Sequence, residues 1–354
     1  MLRHGTPDYL RRQFTWSKTC CDSIKLKEEA KNHNTAPNRL YIVAQLQASS
    51  IPSMRPSTLL SATALLPLAM SACEREFLAA FTSLYLSAQT IGNSKLITNY
   101  MLQNFTYTEN FKPANLSAST SIINTPLNST NSRVFLDPYL CSAFTEIIVA
   151  ESSHPYVLGV RVEGNGKFVT KMETLVSDEG DWLFNATGTA YWNGMQDWSP
   201  IPLADQDTRE VIKAAGDAYF DRFGNVNVTI PFGTPCARLE GGAYTDTSMT
   251  NGETCSLGLP STVYVQDRRY VVDVEMGSVN IYVGFPGLDR ASETPAPDSH
   301  IFRVEKGKIR YVHTISTCEN FGCGLNGTYI PIGGGKKKSR GIAAPRLRRT
   351  RRAF

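Results

Sequence analysis

Three histidines lie between residues 73 and 322, and His313 is the one whose surroundings point to chemistry. It follows Ile309 and Tyr311 at two-residue intervals, with Ile315 next, and side chains alternate along a strand, so these four residues share one face. We expect this mostly apolar face to point into the interior of the fold. A histidine among apolar neighbours has a pKa that is free to shift, and it can act as a general acid or base. The alternative is a core histidine that is satisfied by a single hydrogen bond.

Two carboxylates are candidate catalytic partners of His313, namely Asp273 and Glu240. Asp273 lies in mid-strand, where a carboxylate is costly unless it is paired or functional, and the pair Arg268–Arg269 is the structural alternative. Glu240 belongs to the stretch 236–244, which combines a cysteine, an arginine, two glycines and a tyrosine and is typical of a pocket rim. We therefore expect ligand contacts from Arg238, Tyr244, Arg269 and Tyr311.

The other two histidines, His154 and His300, lie in or beside turn patterns, which favours hydrogen bonds to the backbone. Other chemistries find little support. The chain contains no G-x-S-x-G elbow, no H-E-x-x-H helix and no dinucleotide fingerprint. Three scattered histidines lack metal-ligand spacing, and a cysteine nucleophile is disfavoured where disulfides are expected. We predict neither a metal nor a cofactor.

Tryptophan is concentrated in the stretch 178–206, which holds Trp182, Trp192 and Trp198. These side chains either pack a seam between two parts of the fold or form an aromatic wall that binds a flat or apolar ligand. We favour packing and keep all three as candidate ligand contacts.

A repeated hairpin indicates which elements must position these residues. The stretches 161–174 and 303–314 both show a strand, a Gly-Lys turn and a second strand. Counting from the Gly-Lys turn makes Met172 the counterpart of His313. Each copy ends a segment that opens with an amphipathic helix, so the repeat predicts two tandem lobes. We place lobe one at 73–177, a Trp-rich connection at 178–206 and lobe two at 207–318.

The fold class that follows is α+β, with each lobe formed by an amphipathic helix over a curved antiparallel sheet. The buried helix stripes are Phe77, Phe81, Leu84, Tyr85 and Ala88 in lobe one, and Ile212, Ala215, Tyr219 and Phe223 in lobe two. The Asn-, Ser-, Thr- and Pro-rich stretch 104–140 predicts a long loop. Further loops are expected at 231–242 and 286–298, and strands at 144–149, 156–162, 262–266, 269–275 and 278–284.

A helix across a bent sheet forms a cone with a pocket at its open end. The element order and the Gly-Lys-hydrophobic hairpin resemble the cone-shaped fold shared by nuclear transport factor two, the SnoaL-type cyclases and scytalone dehydratase. This resemblance implies a pocket, but analogy of fold alone does not establish a function.

Longer motifs resemble a family of secreted fungal proteins of unknown function over residues 73–318. The motifs include Cys73-Glu-Arg-Glu-Phe-Leu, Gly180-Asp-Trp-Leu-Phe-Asn-Ala-Thr-Gly, Pro235-Cys-Ala-Arg-Leu-Glu-Gly-Gly and Ile309-Arg-Tyr-Val-His-Thr. The resemblance supplies no reaction and no site residues. It implies that 1–53 and 323–354 lie outside the common body.

The charge of the chain is unevenly distributed. Residues 1–72 carry nine Lys/Arg and four Asp/Glu, and residues 323–354 carry nine Lys/Arg and no acidic residue. The body between them has 18 basic and 28 acidic residues, so it is acidic although the whole chain is +4. An acidic body argues against nucleic-acid binding, which needs a basic face to neutralise phosphates. We interpret 319–354 as a disordered basic tail.

Residues 54–72 have the features of a secretory signal peptide: a methionine, one positive charge, an apolar run and small residues at a cleavage position. The apolar run is too short to span a membrane. We expect translation to begin at Met54, with 1–53 an upstream extension that is disordered or a gene-model artefact. The alternative is a genuine disordered extension before a short buried helix.

The glycosylation sequons and the cysteines also favour secretion. Six cysteines in the body can pair in 15 ways, and we expect Cys73 with Cys141 and Cys236 with Cys255, each pair within one lobe. Cys318 stays single if the tail is not native. The expected glycosylation sites are Asn104, Asn115, Asn128, Asn185 and Asn227, with a sixth sequon at Asn326.

Two functions remain open. The first is a secreted glycoprotein whose cones bind a small apolar molecule or a partner protein. The second is a cofactor-free isomerase, dehydratase or cyclase that acts on a hydrophobic metabolite, with His313 as general acid or base. We favour the first, because no catalytic motif accompanies a fold that makes pockets.

Overall fold

The computed structural model describes residues 73–289 and 292–323. The upstream extension, the signal-peptide segment, most of the basic tail and Asn326 lie outside the described residues. The predicted fold class is confirmed: two lobes each combine a long helix with a six-stranded sheet. In this part of the chain, no helix is both long and apolar enough to cross a bilayer.

Lobe one begins with helix α1 (Arg75–Ile91), which buries a stripe that includes Leu78, Phe81 and Tyr85. The helix ends at Gly92, whose φ of 66° is the left-handed conformation that glycine adopts without a Cβ clash. A short helix, α2 (Lys95–Thr98), follows. The strands of this lobe are β1 (Met101–Glu109), β2 (Lys112–Pro113), β3 (Asn131–Asp137), β4 (Ser142–Val149), β5 (Tyr156–Gly164) and β6 (Val169–Ser177).

Lobe two repeats this plan after the short helix α3 (Ala186–Asn193) of the connection. Its long helix α4 (Arg209–Gly224) is capped by the Thr208 side chain, which accepts a hydrogen bond from the Val211 amide. Gly216 lets α4 approach the sheet closely, because a Cβ there would lie 2.8 Å from Ile281. The strands are β7 (Phe232–Glu240), β8 (Ala243–Tyr244), β9 (Gln266–Asp273), β10 (Ser278–Phe285), β11 (Ala296–Glu305) and β12 (Lys308–Ser316).

The two sheets have the same strand order, β2-β1-β6-β5-β4-β3 in lobe one and β8-β7-β12-β11-β10-β9 in lobe two. All pairings are antiparallel except β1 with β6 and β7 with β12, which are parallel. Three local predictions were wrong. The stretch 104–140 contains β1 and β3, the stretch 231–242 forms β7, and 262–265 is not a strand. The missed strands lie in polar stretches that contain proline. They are buried by the helix and the neighbouring strands, so their local sequence does not show a strand pattern.

The pairing of the two hairpins gives the correspondence between the lobes. Gly164 pairs with Val169 as Val304 pairs with Ile309, so equivalent residues in the hairpins differ by 140. His313 therefore corresponds to Glu173 and not to Met172. The count from the Gly-Lys turn failed because the glycine sits one position later in the second turn, and a slip of one residue moves a side chain to the other face of a sheet.

The outer faces of the two sheets pack against each other. Their shared core contains Phe135, Phe144, Tyr282, Ile301 and Ile315, which are all buried. Because each sheet is covered by a helix on one side and by the other lobe on the opposite side, both faces of its central strands are buried.

Two reciprocal ion pairs join the lobes at the strands β3 and β9. Arg75 of lobe one binds both carboxylate oxygens of Asp273 at 3.0 Å, and Arg209 of lobe two binds those of Asp137 at 2.6 and 2.7 Å. Asp273 also accepts from the Leu136 amide, while Asp137 accepts from the amide of the matching residue, Val272. The same contacts run in both directions, as in a two-fold symmetric interface.

Three disulfides are formed, Cys73–Cys141 in lobe one, Cys236–Cys255 in lobe two and Cys318–Cys323 after the last strand. Cys318 is therefore not single. The Cys236–Cys255 disulfide ties the segment after β8 to β7, and that segment forms one side of the site described next.

Candidate functional site

Lobe two contains a cavity of about 220 Å³ between α4, the inner face of its sheet and two loops. One wall is aromatic and includes Phe223, Phe285 and Trp182. The lining also includes polar side chains that come from four different elements. These are Tyr219, Arg238, Glu240, Asp298, His300, Thr314 and Ser316.

His300 and Asp298 form a buried pair on β11. Being two residues apart on one strand, both side chains point to the same face. His300 Nδ1 lies 2.6 Å from Asp298 Oδ1, and the Ser316 hydroxyl donates to Asp298 Oδ2 at 2.6 Å. His300 is 3% exposed and Asp298 is 0% exposed. No described residue forms a hydrogen bond with His300 Nε2.

The pair orients the histidine ring. A carboxylate accepts hydrogen bonds, so Nδ1 is the nitrogen that donates to Asp298, and Nε2 is left for another partner. The ring is surrounded by Phe220, Phe285 and Phe302, with centroids 4.9, 6.4 and 6.0 Å away. An imidazole that a carboxylate orients inside an aromatic cavity is the arrangement that a general base requires.

A second polar pair, Arg238 and Glu240, also lines the cavity. Arg238 of β7 donates to the Tyr219 hydroxyl at 3.1 Å and lies 3.1 Å from Glu240 Oε1. Burial raises the pKa of Tyr219 well above its ordinary value; Arg238 lowers it, but less than burial raises it, so the phenol is neutral. Arg238 also donates to the backbone oxygen of Leu257, which holds the disulfide-tied segment against β7.

Thr314 lies between the two pairs. The strand register places it opposite Glu240 on one side and opposite His300 on the other, so the three residues form a row across the sheet. Its hydroxyl is buried and has no hydrogen-bond partner in the described part of the chain. A buried unpaired hydroxyl costs free energy, and a ligand oxygen in the cavity would satisfy it.

The structure brings together only some of the residues predicted from the sequence. Glu240, Arg238 and Trp182 line the cavity. The remaining candidates lie outside it: His313, Asp273, Tyr244, Arg269, Tyr311, Trp192 and Trp198. Asp273 is paired with Arg75, not with the neighbouring Arg268–Arg269.

His313 does not face the interior of the cone. Its side chain lies at the interface of the lobes, with Nδ1 2.9 Å from Glu146 and Nε2 2.6 Å from Gln196 Oε1. Trp198 also donates to Gln196 Oε1, so this amide oxygen is an acceptor and both histidine nitrogens donate. The residue is buried and held on both ring nitrogens by other side chains, which is a structural arrangement. The strand β12 has an irregularity between Ile309 and Tyr311, and this shifts the alternation of its side chains. His313 therefore does not share a face with Ile309, which is in the lobe-two core.

Glu146 is the partner of His313 Nδ1. Burial raises its pKa, but the charge and hydrogen bond of His313, together with Arg133 at 3.0 Å, lower the pKa further than burial raises it. Trp198 packs on this cluster, with the Arg133 guanidinium 4.3 Å from its ring centroid. Trp198 thus packs the seam between the lobes, in agreement with the favoured interpretation, whereas Trp182 does not.

The other aromatic and basic candidates also pack between elements. Arg269 lies 3.2 Å from Glu173 and stacks over Phe111. Trp192 stacks on Tyr244 with a centroid distance of 4.5 Å. Tyr311 packs on Trp198, with ring centroids 5.7 Å apart.

Sequence reasoning missed His300, Asp298 and the site role of Tyr219. The tripeptide Asp298-Ser-His has the composition of a turn, but it lies inside β11, which begins at Ala296. The signal that was available is the alternation of Asp298, His300, Phe302 and Val304, which places two polar residues on an otherwise apolar face.

A metal site finds no support in the described residues. The group with suitable ligand atoms in close proximity is Cys236, Glu253 and Cys255, and its two cysteines form a disulfide. Disulfide sulfurs are not the thiolates that bind metals.

One comparison with known proteins covers lobe two. Residues 205–316 match the model of a family described as a domain of unknown function, DUF8021. No curated protein matches the chain. A solved NTF2-like protein of unknown function from Shewanella baltica OS155 is 10% identical, with 29% of this chain and 92% of that chain covered and a TM-score of 0.22. A DUF4783 family protein from Bacteroides ovatus ATCC 8483 is 12% identical, with 27% and 96% covered and a TM-score of 0.21.

Proposed function

We propose that lobe two binds a small, largely apolar molecule and that His300 acts on it as a general base, in a cofactor-free isomerase or dehydratase. The observation that carries this proposal is the buried Asp298–His300 pair, whose histidine lines an aromatic cavity with Nε2 unpaired among the described residues. Buried polar pairs cost stability relative to apolar residues, so their presence in a cone interior points to a functional role.

The reaction step that this geometry supports is proton transfer at carbon next to a carbonyl group. His300 Nε2 takes the proton, the electrons of the C–H bond move to the carbonyl oxygen as an enolate, and the proton returns to the same or another carbon. Asp298 holds the ring and stabilises the imidazolium that forms. The interfacial His313 takes no part in this proposal.

Hydrogen–deuterium exchange tests the base without knowledge of the natural substrate. We expect the protein to accelerate deuteration of the methyl group of acetophenone in D₂O, measured by proton NMR, and His300→Gln to reduce the rate at least tenfold. His154→Gln is the matched control, because His154 also pairs with an aspartate, Asp178 at 2.9 Å, but on the surface of lobe one. Equal rates in wild-type protein and His300→Gln would rule out the role of His300.

Binding without turnover is the second candidate function, and the aromatic wall of the cavity favours it. Phe223, Phe285 and Trp182 offer apolar contacts that need no chemistry. Calorimetric binding of acetophenone by a protein that does not accelerate its exchange would select this function. The other form of the binding hypothesis, recognition of a partner protein, predicts no binding of such probes.

We also propose that the protein is a secreted glycoprotein, with fungal origin suggested by the motif resemblance. Three disulfides support an oxidising compartment. All five asparagines predicted as glycan sites within the described residues, Asn104, Asn115, Asn128, Asn185 and Asn227, are exposed. Mass spectrometry of protein made in a eukaryotic secretory host, with and without glycosidase, tests this: an unshifted mass contradicts it.

A further inference from the structure

We propose, building on the lobe-two cavity as the site, that it selects an uncharged ligand with a carbonyl or hydroxyl oxygen. Tyr219 is the group that donates a hydrogen bond to this oxygen. Glu240 is the residue that excludes carboxylates, because it neutralises the arginine that would otherwise attract them.

The direction of the Tyr219 hydrogen bond follows from its partner. Arg238 Nη1 can only donate, so the tyrosine oxygen accepts at 3.1 Å and its own proton is directed elsewhere. No described residue accepts that proton, although the residue is 1% exposed. The hydroxyl borders the cavity, so a ligand oxygen is the acceptor that completes it.

Tyr219 and His300 are close enough to act on one small group. Their ring centroids are 5.5 Å apart, and both line the cavity. A carbonyl oxygen bound by Tyr219 would place its neighbouring carbon toward His300, and the hydrogen bond would support negative charge on that oxygen as it forms. Thr314 lies between Glu240 and His300 in the row, and its hydroxyl, which has no partner among the described residues, is a second donor.

The two terminal nitrogens of Arg238 are engaged within the protein, whereas its Nε has no hydrogen-bond partner among the described residues. Its guanidinium is engaged by Glu240 at 3.1 Å, by Tyr219 and by the Leu257 backbone oxygen. Among the described residues that line the cavity, the formal charges of Arg238 and Glu240 cancel, and Asp298 adds a negative charge. A carboxylate would bring a further negative charge beside the fully buried Asp298, which is costly.

Acetophenone and benzoate test the proposal, since they share a phenyl ring and differ in charge at pH 7. Isothermal titration calorimetry on the full chain should show acetophenone binding at least tenfold more tightly than benzoate. Tyr219→Phe should weaken acetophenone about tenfold, while Tyr85→Phe, the equivalent tyrosine of lobe one, should leave it unchanged. Glu240→Gln frees the charge of Arg238 and should strengthen benzoate binding at least tenfold.

The outcomes separate this inference from the proposed function. Binding of benzoate as tightly as acetophenone by the wild type, or unchanged binding by both Tyr219→Phe and Glu240→Gln, overturns the selectivity and leaves the cavity as a ligand site. Binding of neither probe overturns the ligand site itself and the selectivity with it. Glu240→Gln reports a gain of binding, so a misfolded variant cannot imitate the supporting result.

Discussion

The two lobes share one strand order but use the interior of the cone differently. Lobe two places the polar residues Asp298, His300 and Ser316 in its interior, around a cavity. The register of β5 and β6 identifies the residues at the same positions of lobe one. They are Leu158 and Val160, which belong to its hydrophobic core, and Val176, which packs against that core.

The interior of lobe one is filled by its own chain. Leu116, Ile122 and Ile123 from the segment between β2 and β3 are buried in the core. Gln89 of α1 holds this segment by donating to the backbone oxygens of Ile122 and Thr125, at 2.9 and 3.0 Å. In lobe two the position of Gln89, four residues after the buried helix tyrosine, is taken by Phe223, which lines the cavity.

Tyrosine is the residue that both helices retain, and its partners differ. Tyr85 donates to Gln89 at 3.0 Å, so its proton is used inside the protein. Tyr219 accepts from Arg238, so its proton remains for a ligand. The same strand order therefore supports either a filled core or a ligand site. Which of the two forms depends on whether the polar groups are satisfied by the chain or left for a ligand.

The largest expected effect on stability comes from the two reciprocal ion pairs between the lobes. Asp273→Ala should lower the free energy of unfolding by about 3–5 kcal/mol, because it removes a buried carboxylate that pairs with Arg75 and the Leu136 amide. Asp137→Ala should cost a similar amount through the reciprocal contacts. Chemical denaturation measures both. A loss below 1 kcal/mol in one variant alone would show that the interface is not energetically symmetric.

The next effect is a pH dependence at the interface. The pKa of Glu146 is lowered by His313 and Arg133 despite burial, so its ion pair stabilises the fold above about pH 4.5 and loses this contribution as the pH falls through the lowered value. Glu146→Gln should cost about 3 kcal/mol at pH 6 and much less at pH 3. Urea unfolding at both pH values checks this, and a cost that does not change with pH would contradict it.

Replacing the polar residues inside lobe two by apolar residues, as in lobe one, should increase stability and remove activity. The combined change of Asp298→Leu, His300→Val and Ser316→Val should raise the free energy of unfolding by about 1–3 kcal/mol, as replacement of buried polar pairs by apolar residues often does. It should also abolish acetophenone deuteration. Thermal unfolding and the exchange assay measure the two parts. A destabilised variant would show that the polar residues serve the fold.

The smallest effect compares the two tyrosines. Tyr85→Phe should cost about 1–2 kcal/mol of stability, because it removes a satisfied buried hydrogen bond to Gln89. Tyr219→Phe should cost no more than this, since it removes an acceptor of Arg238 and an unused proton. Thermal unfolding of both variants checks the order. A clearly larger loss for Tyr219→Phe would indicate that it is mainly a structural residue.

The sequence by itself determined the architecture. Apolar periodicity located both long helices, and the two Gly-Lys hairpins predicted tandem lobes, since these are local patterns that survive without knowledge of partners. Arg238 and Glu240 were also found as site candidates, because a dense polar segment around a cysteine is visible along the chain. Trp182 was found because tryptophan is concentrated in the connection.

Only the tertiary structure decided which histidine lies in the cavity. A strand in this protein is buried on both faces, by the helix on one side and by the other lobe on the opposite side, so burial does not reveal which face lines the cone. His300 and His313 belong to neighbouring residue pairs of β11 and β12, but their side chains face opposite sides of the sheet. One faces Glu146 of the other lobe, and the other faces the cavity. That choice depends on long-range strand register and on contacts between lobes, which a local sequence pattern does not contain.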